Sequence, residues 1–175
     1  MRLEIRPVIA TELNSLEQAL AETLWACVQG GASVSFVLPF SQNDATRFWS
    51  DQVFPAVQRN DVILFGAFVD GRLQGTAQLA ISQPANQLHR ADVAKLLVHP
   101  EARRSGLGRA LMLAVEAEAR TLGKTLLVLD TRSGDPSQRL YESLGFNVAG
   151  SIPGYCRNPQ TETYEATTYL YKALI

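Results

Sequence analysis

The segment from Arg90 to Leu122 constrains the fold more than any other part of this 175-residue chain. It begins with a predicted buried strand, Arg90–Val98, and continues into a loop, residues 103–108, that contains two glycines. After the loop, apolar residues recur at three- and four-residue spacing, which predicts an amphipathic helix. These residues are Leu107, Leu111, Ala114, Val115, Ala119 and Leu122. A strand, a glycine loop and a helix in this order predict a sheet covered by helices.

The rest of the chain alternates between strand and helix patterns. Residues 2–8 alternate apolar and charged side chains, the period of a half-buried strand, and residues 13–28 carry apolar side chains at helical spacing up to Gly30. A second helix is predicted over residues 43–58, followed by a hairpin of residues 62–69 and 73–82 that turns at Asp70 and Gly71. Three further strands (125–131, 146–152 and 164–172) and a short helix from Asp135 to Gly145 complete the prediction. The result is seven strands and four helices in a single domain over residues 1–175.

Charge and cysteine content exclude several classes of protein. Sixteen Lys and Arg residues against seventeen Asp and Glu residues give a net charge of -1, which offers no field to gather a polyanion, so no nucleic-acid partner is expected. Cys27 and Cys156 do not form a C-x-x-C pair, so neither a metal site nor a disulfide framework is predicted, and a reducing, cytoplasmic setting fits best. No apolar run approaches the roughly 20 residues of a membrane-spanning helix, so no membrane association is expected.

The glycine loop has the properties of a pyrophosphate site. Backbone N–H groups at the start of a helix have no partner within the helix and lie at the positive end of its dipole. Gly106 and Gly108 let an anion approach the backbone, and Arg103, Arg104 and Arg109 supply positive charge. The alternative is a surface turn whose glycines serve only a tight connection. A Rossmann fingerprint would need glycine at position 111 and a P-loop would need Gly-Lys-Ser or Gly-Lys-Thr, so both of these motifs are excluded.

Segments in and after this loop resemble the GNAT superfamily of N-acetyltransferases: AKLLVHPEARRSGLGRALM, LLVLDT and RLYESLGF. Arg103, Gly106 and Gly108 match the fingerprint of that family. More narrowly, GGASVSFV, RADVAKLLV, IPGYCRNP and TTYLYKAL are similar to the tabtoxin resistance acetyltransferases. The resemblance implies an α/β (α+β) fold, with a mixed seven-stranded sheet that splays into a central V and about four flanking helices. It also implies direct, metal-free transfer of an acetyl group from acetyl-CoA to an amine, through a tetrahedral intermediate.

The same resemblance assigns the coenzyme contacts. The backbone of Leu97 and Val98 would pair with the pantetheine arm, and an N–H near Leu97 would stabilise the oxyanion. Tyr141 would act as general acid toward the departing thiolate, or would simply pack beneath the sheet. Gly134 stands where the family often has Asn, so Asp135 or Ser137 could supply that contact, although Asp135 is most simply a helix N-cap. The loop contributes Arg103, Arg104, Ser105, Gly106, Leu107, Gly108 and Arg109.

The base that deprotonates the amine is not identified by any motif. Asp92 is the leading candidate, ahead of Glu101 and Asp130, and the alternative is a carboxylate paired with a nearby arginine. Histidine in general has a pKa suited to this role, but His89 and His99 are expected to be exposed loop or strand-end residues.

The acceptor pocket is expected to form from residues 30–36 and from the closing hairpin around Tyr155, Cys156 and Arg157. Tyr155 and Arg157 could orient a carboxylate-bearing acceptor, with ordinary packing and solvated charge as the alternative. A small-molecule amine, such as an amino-acid-like toxin or metabolite, is the expected acceptor. A protein amine, or a non-catalytic acyl-CoA-binding regulatory module, is the alternative. Edge strands near the C-terminal end are compatible with a homodimer.

Overall fold

The computed structural model describes residues 2–175 and contains seven strands and five α-helices. The strands are β1 (Leu3–Pro7), β2 (Val62–Val69), β3 (Arg72–Ala80), β4 (Arg90–Val98), β5 (Leu126–Arg132), β6 (Asn147–Arg157) and β7 (Tyr164–Ala173). The helices are α1 (Leu13–Gln29), α2 (Gln42–Phe48), α3 (Phe54–Gln58), α4 (Leu107–Thr121) and α5 (Pro136–Ser143). The predicted order of elements is confirmed.

All seven strands form one sheet in the order β1-β2-β3-β4-β5-β7-β6. Every neighbouring pair is antiparallel except β4 and β5, which are parallel. Their pairing covers only Arg90 with Leu126, Ala91 with Leu127 and Asp92 with Val128. Beyond Asp92 the two strands separate, so the predicted V-shaped splay is present at the centre of the sheet.

Helices cover both faces of the sheet and bury a separate core on each. On one face, α1 and α2 pack around Leu24 and Trp49, both of which are fully buried. On the other face, α4 and α5 pack around Leu111 and Leu127, which are also fully buried. The splay therefore lies between two separate apolar cores, one beneath α1 and α2 and one beneath α4 and α5.

The second predicted helix, residues 43–58, is one continuous helical segment that is not α-helical throughout. A π-helical turn, Trp49–Val53, joins α2 to α3, and the Phe54 N–H donates to the Trp49 carbonyl five residues earlier. Pro55 follows directly. A proline lacks an N–H, and its ring clashes with the carbonyl four residues earlier in a regular α-helix, so the wider turn lies where the ring needs space.

The hairpin turn and one strand end follow simple backbone rules. The predicted hairpin between β2 and β3 turns at Asp70 and Gly71, whose φ angles of 48° and 81° are those of a tight hairpin turn. Strand β6 runs to Arg157, five residues beyond the predicted end at Ile152. The extension contains Pro153, which the sheet tolerates because β6 is an edge strand.

Three structural features concern chemistry rather than fold. None of the helices within residues 2–175 has the length and apolar character needed to cross a membrane. In the same residues, no group of three or more His, Cys, Asp and Glu side chains is arranged to hold a metal ion. Cys27, which is buried, and Cys156, which is half-buried, are both free thiols.

Candidate functional site

The loop before α4 presents a row of unpaired backbone amides. The Ala102 and Arg103 N–H groups donate to His99 and Pro100, and the Ala110 N–H donates to Gly106 as the first bond of the helix. Between them, the six N–H groups from Arg104 to Arg109 have no backbone acceptor within residues 2–175. Such a row at the start of a 15-residue helix is suited to binding an anion.

The two loop glycines serve different purposes. Gly106 is the N-cap of α4 with φ at 85°, and a Cβ at this position would meet nothing within 4 Å. Its backbone is therefore open to a ligand. A Cβ on Gly108 would lie 3.3 Å from Leu140 Cδ2 and 3.9 Å from Val98 Cγ2. Gly108 is needed mainly for the close packing of α4 against α5 and β4, which refines the prediction that both glycines admit phosphate.

The side chains of the loop are only partly directed to solvent. Arg103 turns back toward β4, and its Nε donates to the Val98 carbonyl at 3.3 Å. Arg109 donates to the Ser143 hydroxyl at 2.7 Å. The Ser105 hydroxyl donates to the Ala102 carbonyl, and Leu107 is buried. Arg104 is exposed, with φ at 63°, and makes no side-chain hydrogen bond or ion pair within residues 2–175, so it is the loop cation most available to a phosphate.

The end of β4 presents a backbone edge to the splay. The His99 N–H donates to the Gln74 carbonyl at 2.8 Å, on the side of β3. Successive residues of a strand direct their backbone groups to opposite edges, so those of Val98 and Leu96 face the gap. The Val98 carbonyl already accepts from Arg103 and, at 3.4 Å, from Cys27 Sγ. The geometry favours Leu96 and Val98 for backbone contacts there, rather than the predicted Leu97, whose backbone turns toward β3.

Tyr141 lies on α5, at the α4 side of the splay, and is 6% exposed. Its ring packs against Phe146, with centroids 5.9 Å apart. Its hydroxyl makes no hydrogen bond within residues 2–175 and is not among the fully enclosed, unpartnered polar atoms, so the hydroxyl oxygen still reaches solvent. Burial, together with the negative charge of Asp130, raises the pKa of Tyr141 and keeps the phenol protonated at neutral pH. The ring of Tyr141 therefore packs in the core, while its hydroxyl is available to a ligand.

The start of α5 differs from the N-cap predicted for Asp135. Asp135 occupies the N-cap position, but its side chain makes no capping hydrogen bond. Its Oδ1 instead accepts from Arg132 Nε at 2.9 Å in an ion pair. The Ser137 hydroxyl lies 2.7 Å from the Thr131 hydroxyl. Each side chain therefore already has one protein partner in this arrangement.

Asp92 sits where the splay begins, and both of its carboxylate oxygens are occupied. Arg90 donates to Oδ1 at 2.6 Å, and Gln83 donates to Oδ2 at 3.0 Å. This is the alternative that the sequence left open, a carboxylate paired with a nearby arginine. The arrangement weakens the case for Asp92 as a base.

The other candidate bases occupy different places. Asp130 lies on β5 beyond the last pair with β4, is open to solvent, and makes no side-chain hydrogen bond or ion pair within residues 2–175. Desolvation by the surrounding protein raises the pKa of Asp130, and the nearby Lys95 opposes this effect. Glu101 and His89 are exposed, whereas His99 is half-buried, with its Nε2 3.9 Å from Glu22. Asp130 alone combines a free carboxylate with a place in the splay.

Lys95 is a site residue that the sequence analysis did not identify. A β-bulge places one extra residue of β4 opposite β3 between the pairs Gln78 with Ala94 and Thr76 with Leu97, and Lys95 there has φ at 49°. Its side chain reaches the α1 and α2 side of the splay. A lysine in the second half of the strand, among apolar residues, was the available signal, but no sequence pattern predicts the bulge.

A cavity of about 420 Å³ lies next to the splay on the same side as α1. Gly30 and Gly31 line it, as predicted, but the hairpin contributes Asn158, Gln160 and Glu165 rather than residues 155–157. The far ends of β5 and its loop complete it with Arg132, Ser133, Gly134 and Asp135.

The three predicted hairpin residues are engaged elsewhere. The Tyr155 hydroxyl lies 2.8 Å from the Tyr169 hydroxyl, an interaction that raises the pKa of Tyr169 to about 12. Arg157 forms an ion pair with Glu162. Cys156 Sγ lies 4.0 Å from the Thr167 hydroxyl. Arg157 is thus not free to orient a carboxylate, and Cys156 packs at the edge of the sheet.

Comparison with known proteins shows the family to which this chain is similar. The model of the acetyltransferase (GNAT) family matches residues 18–146. An uncharacterized N-acetyltransferase of Azospirillum brasilense is 37% identical over 107 residues, which are 60% of this chain and 61% of that protein. A ribosomal protein bS18-alanine N-acetyltransferase of Escherichia coli is 34% identical over 102 residues, which are 58% of this chain and 66% of that protein. The chain thus spans less than two thirds of the length of either relative.

Solved structures share the fold along nearly the whole chain. An N-acetyltransferase from Staphylococcus aureus superposes with a TM-score of 0.81 at 18% identity, covering 100% of both chains. A putative acetyltransferase from Salmonella typhimurium, solved with acetyl-CoA as its cofactor, gives a TM-score of 0.78 at 21% identity, covering 99% of this chain and 94% of that one. From the family match and the splayed sheet together, we conclude that the chain belongs to the GNAT acetyltransferase family.

Proposed function

We propose that this protein transfers an acetyl group from acetyl-CoA to a primary amine of a small molecule. The observation that carries the proposal is the row of six unpaired amides from Arg104 to Arg109, at the end of β4 where the sheet splays apart. These amides suit the pyrophosphate of the coenzyme, with Arg104 as an additional cation. The open edge of β4 at Leu96 and Val98 suits the amides of the pantetheine arm.

Acetyl-CoA supplies an activated thioester and a thiolate leaving group. Asp130 takes the proton of the incoming ammonium, because its carboxylate is unpaired and its raised pKa improves its strength as a base. Tyr141, whose phenol is protonated at neutral pH, gives a proton to the leaving sulfur as the carbon–sulfur bond breaks. The attacking nitrogen loses its second proton as the amide forms, and that proton restores the Tyr141 phenol. The Val98 N–H donates to the thioester oxygen as negative charge develops there. Asp92, held by Arg90 and Gln83, helps to shape the closed end of the splay.

A small acceptor is supported by the cavity beside the splay. A volume of about 420 Å³ is at the lower end of the roughly 300–1,000 Å³ of small-molecule sites. A peptide acceptor is the second candidate, because one relative is named for a ribosomal-protein alanine. The closer similarity to tabtoxin resistance acetyltransferases and a homodimer through the β6 edge stay predictions.

Release of free thiol tests the proposal. We expect the purified protein to release CoA from acetyl-CoA with at least one small primary amine, and mass spectrometry to find one added acetyl group on that amine. The matched control is the same amine already N-acetylated, which should release no CoA. Turnover confined to a peptide with an N-terminal alanine would favour the second candidate. Tight binding of acetyl-CoA without CoA release across small amines and peptides would instead identify a regulatory acyl-CoA-binding module.

A further inference from the structure

Lys95 is held in an unusual conformation on the acceptor side of the splay. The bulge in β4 places Lys95 at φ 49°, and its Nζ lies 3.2 Å from the hydroxyl of Ser35, whose φ is 81°. The same Nζ lies 5.7 Å from the centre of the Phe48 ring. Positive φ angles are unfavourable for residues other than glycine, and such residues cluster at functional sites. Here two of them contact each other in the loop and strand that border the splay.

The charge of Lys95 has no direct counter-ion. Within residues 2–175, no carboxylate lies within ion-pair distance of Nζ, and the Ser35 hydroxyl is its only hydrogen-bond partner. Burial lowers the pKa of Lys95, and the charge of Asp130 opposes that effect. A half-buried ammonium with one neutral partner retains capacity for an anionic ligand.

Asp130 faces the same space from the opposite strand. The parallel register pairs Asp92 with Val128, so two residues further along Asp130 comes opposite Ala94, next to Lys95. Leu127 and Leu129 belong to the core beneath α4, so the alternation of β5 directs Asp130 to the other side, where Lys95 meets Ser35. Because β4 and β5 have separated there, the two opposite charges border a gap rather than neutralise each other.

We propose that Lys95 binds a carboxylate of the acceptor while Asp130 binds its reacting ammonium group, so that the acceptor is a zwitterionic amine of amino-acid type. This inference rests on the proposed function and adds the chemical class of the substrate. Charge complementarity carries it: one cation and one anion, both unpaired within residues 2–175, border the gap between β4 and β5 from facing strands. Phe48 and Ser35 hold the Lys95 side chain in position for this contact.

The test compares amino acids with their carboxamides, which have nearly the same size and the same reactive amine but no carboxylate. We expect the wild-type protein to acetylate the carboxylate member with a kcat/KM about 10- to 100-fold higher, as a charge-assisted contact would give. Equilibrium binding of the same pairs to the protein loaded with CoA measures the preference without turnover.

Variants test whether Lys95 causes the preference for amino acids over carboxamides. Lys95→Met should abolish the preference, lowering kcat/KM for amino acids about 10- to 100-fold and leaving the carboxamides little changed. Lys95→Arg keeps the charge and should retain part of the preference. Asp130→Asn should lower kcat for both members alike. The matched control is Arg72→Met, which removes a cation from an exposed site at the start of β3. It should leave kcat/KM unchanged for both substrates.

The outcomes separate this inference from the proposed function. Equal turnover and equal binding of amino acids and carboxamides by the wild-type protein would overturn the role of Lys95 while leaving acetyl transfer intact. An equal loss for both members in Lys95→Met would also overturn it, since it would identify a structural role. Absence of CoA release with any amine would contradict the proposed function, and the binding preference would then decide the role of Lys95 by itself.

Discussion

Tyr141 combines a packed ring with a hydroxyl that has no protein partner in the described chain. Its ring fills space between α5 and Phe146, while its hydroxyl has no hydrogen-bond partner within residues 2–175 and reaches solvent. Because the hydroxyl reaches solvent and has no partner among the described residues, it is available to a ligand in the splay.

Replacing Tyr141 with Phe separates these two roles. The ring contacts remain, so we expect the free energy of unfolding to change by less than about 1 kcal/mol. Loss of the proton donor should lower kcat by about 100-fold or more, with the Kd for acetyl-CoA nearly unchanged. Steady-state kinetics, calorimetric titration and urea unfolding provide the three measurements.

Tyr171→Phe is the matched control for that variant, because Tyr171 is 40% exposed on β7 and its hydroxyl makes no hydrogen bond within the described chain. In this variant, kcat, the Kd for acetyl-CoA and the free energy of unfolding should stay close to the wild-type values. If Tyr141→Phe retained full kcat, Tyr141 would be a packing residue only.

The α4 helix contributes to the site through its first turn. Its N-terminal amides are directed outward only because Gly106 adopts a left-handed conformation and reverses the chain into the helix. The C-terminal end of α4 is followed by a second left-handed glycine, Gly123, with φ at 72°. A methyl group added to either glycine would meet nothing within 4 Å, so the two differ in location rather than in local crowding.

Gly123, at the other end of the helix, therefore serves as an internal control for Gly106. Gly106→Ala and Gly123→Ala should each lower the free energy of unfolding by about 1–2 kcal/mol, the cost of a left-handed L-residue. Only Gly106→Ala should also weaken acetyl-CoA binding, by about tenfold or more, because a shift of the loop misaligns the amides. Equal affinity of both variants for acetyl-CoA would contradict an anion site at this helix start.

Across the whole molecule, the two halves of the sheet share few direct contacts. The strands β4 and β5 pair at only three positions, and α4 adds polar contacts to the second half. Glu116 of α4 accepts from Lys172 of β7 at 2.6 Å, and Arg120 donates to the Leu174 carbonyl at 2.6 Å. Burial tends to raise the pKa of Glu116, but hydrogen bonds from Lys172 and Arg120 outweigh it and hold that pKa below its ordinary value of 4.5.

This ion cluster predicts a pH-dependent contribution to stability. A carboxylate whose pKa is lowered by folding stabilises the folded state above its ordinary pKa, and the contribution disappears as pH falls through the folded value. Glu116→Gln should therefore lower the free energy of unfolding by about 1–3 kcal/mol at pH 7, and the difference from wild type should shrink below about pH 4.5. Urea unfolding across this range measures it.

Glu118→Gln, on the same helix but without an ion pair in the described chain, should have little effect at either pH. A deficit in Glu116→Gln that stayed constant from pH 7 to pH 3 would contradict the ionic origin of the effect.

Many features of this molecule can be predicted from local patterns of the sequence. Apolar spacing located the strands and helices, and Gly106 within residues 103–108 predicted an anion site, because helix starts and glycine turns are properties of short segments. The sequence did not reveal the π-helical turn before Pro55 or the placement of Lys95, and it left open whether Asp92 pairs with a nearby arginine. The placement of Lys95 depends on contacts between distant segments: the bulge that positions Lys95 exists only where β4 meets β3, and its neighbour Ser35 comes from the loop after α1. The sequence by itself therefore determined the order of elements and predicted a coenzyme loop, whereas only the tertiary structure decided which charges face each other across the splay, because that depends on where β4 and β5 separate.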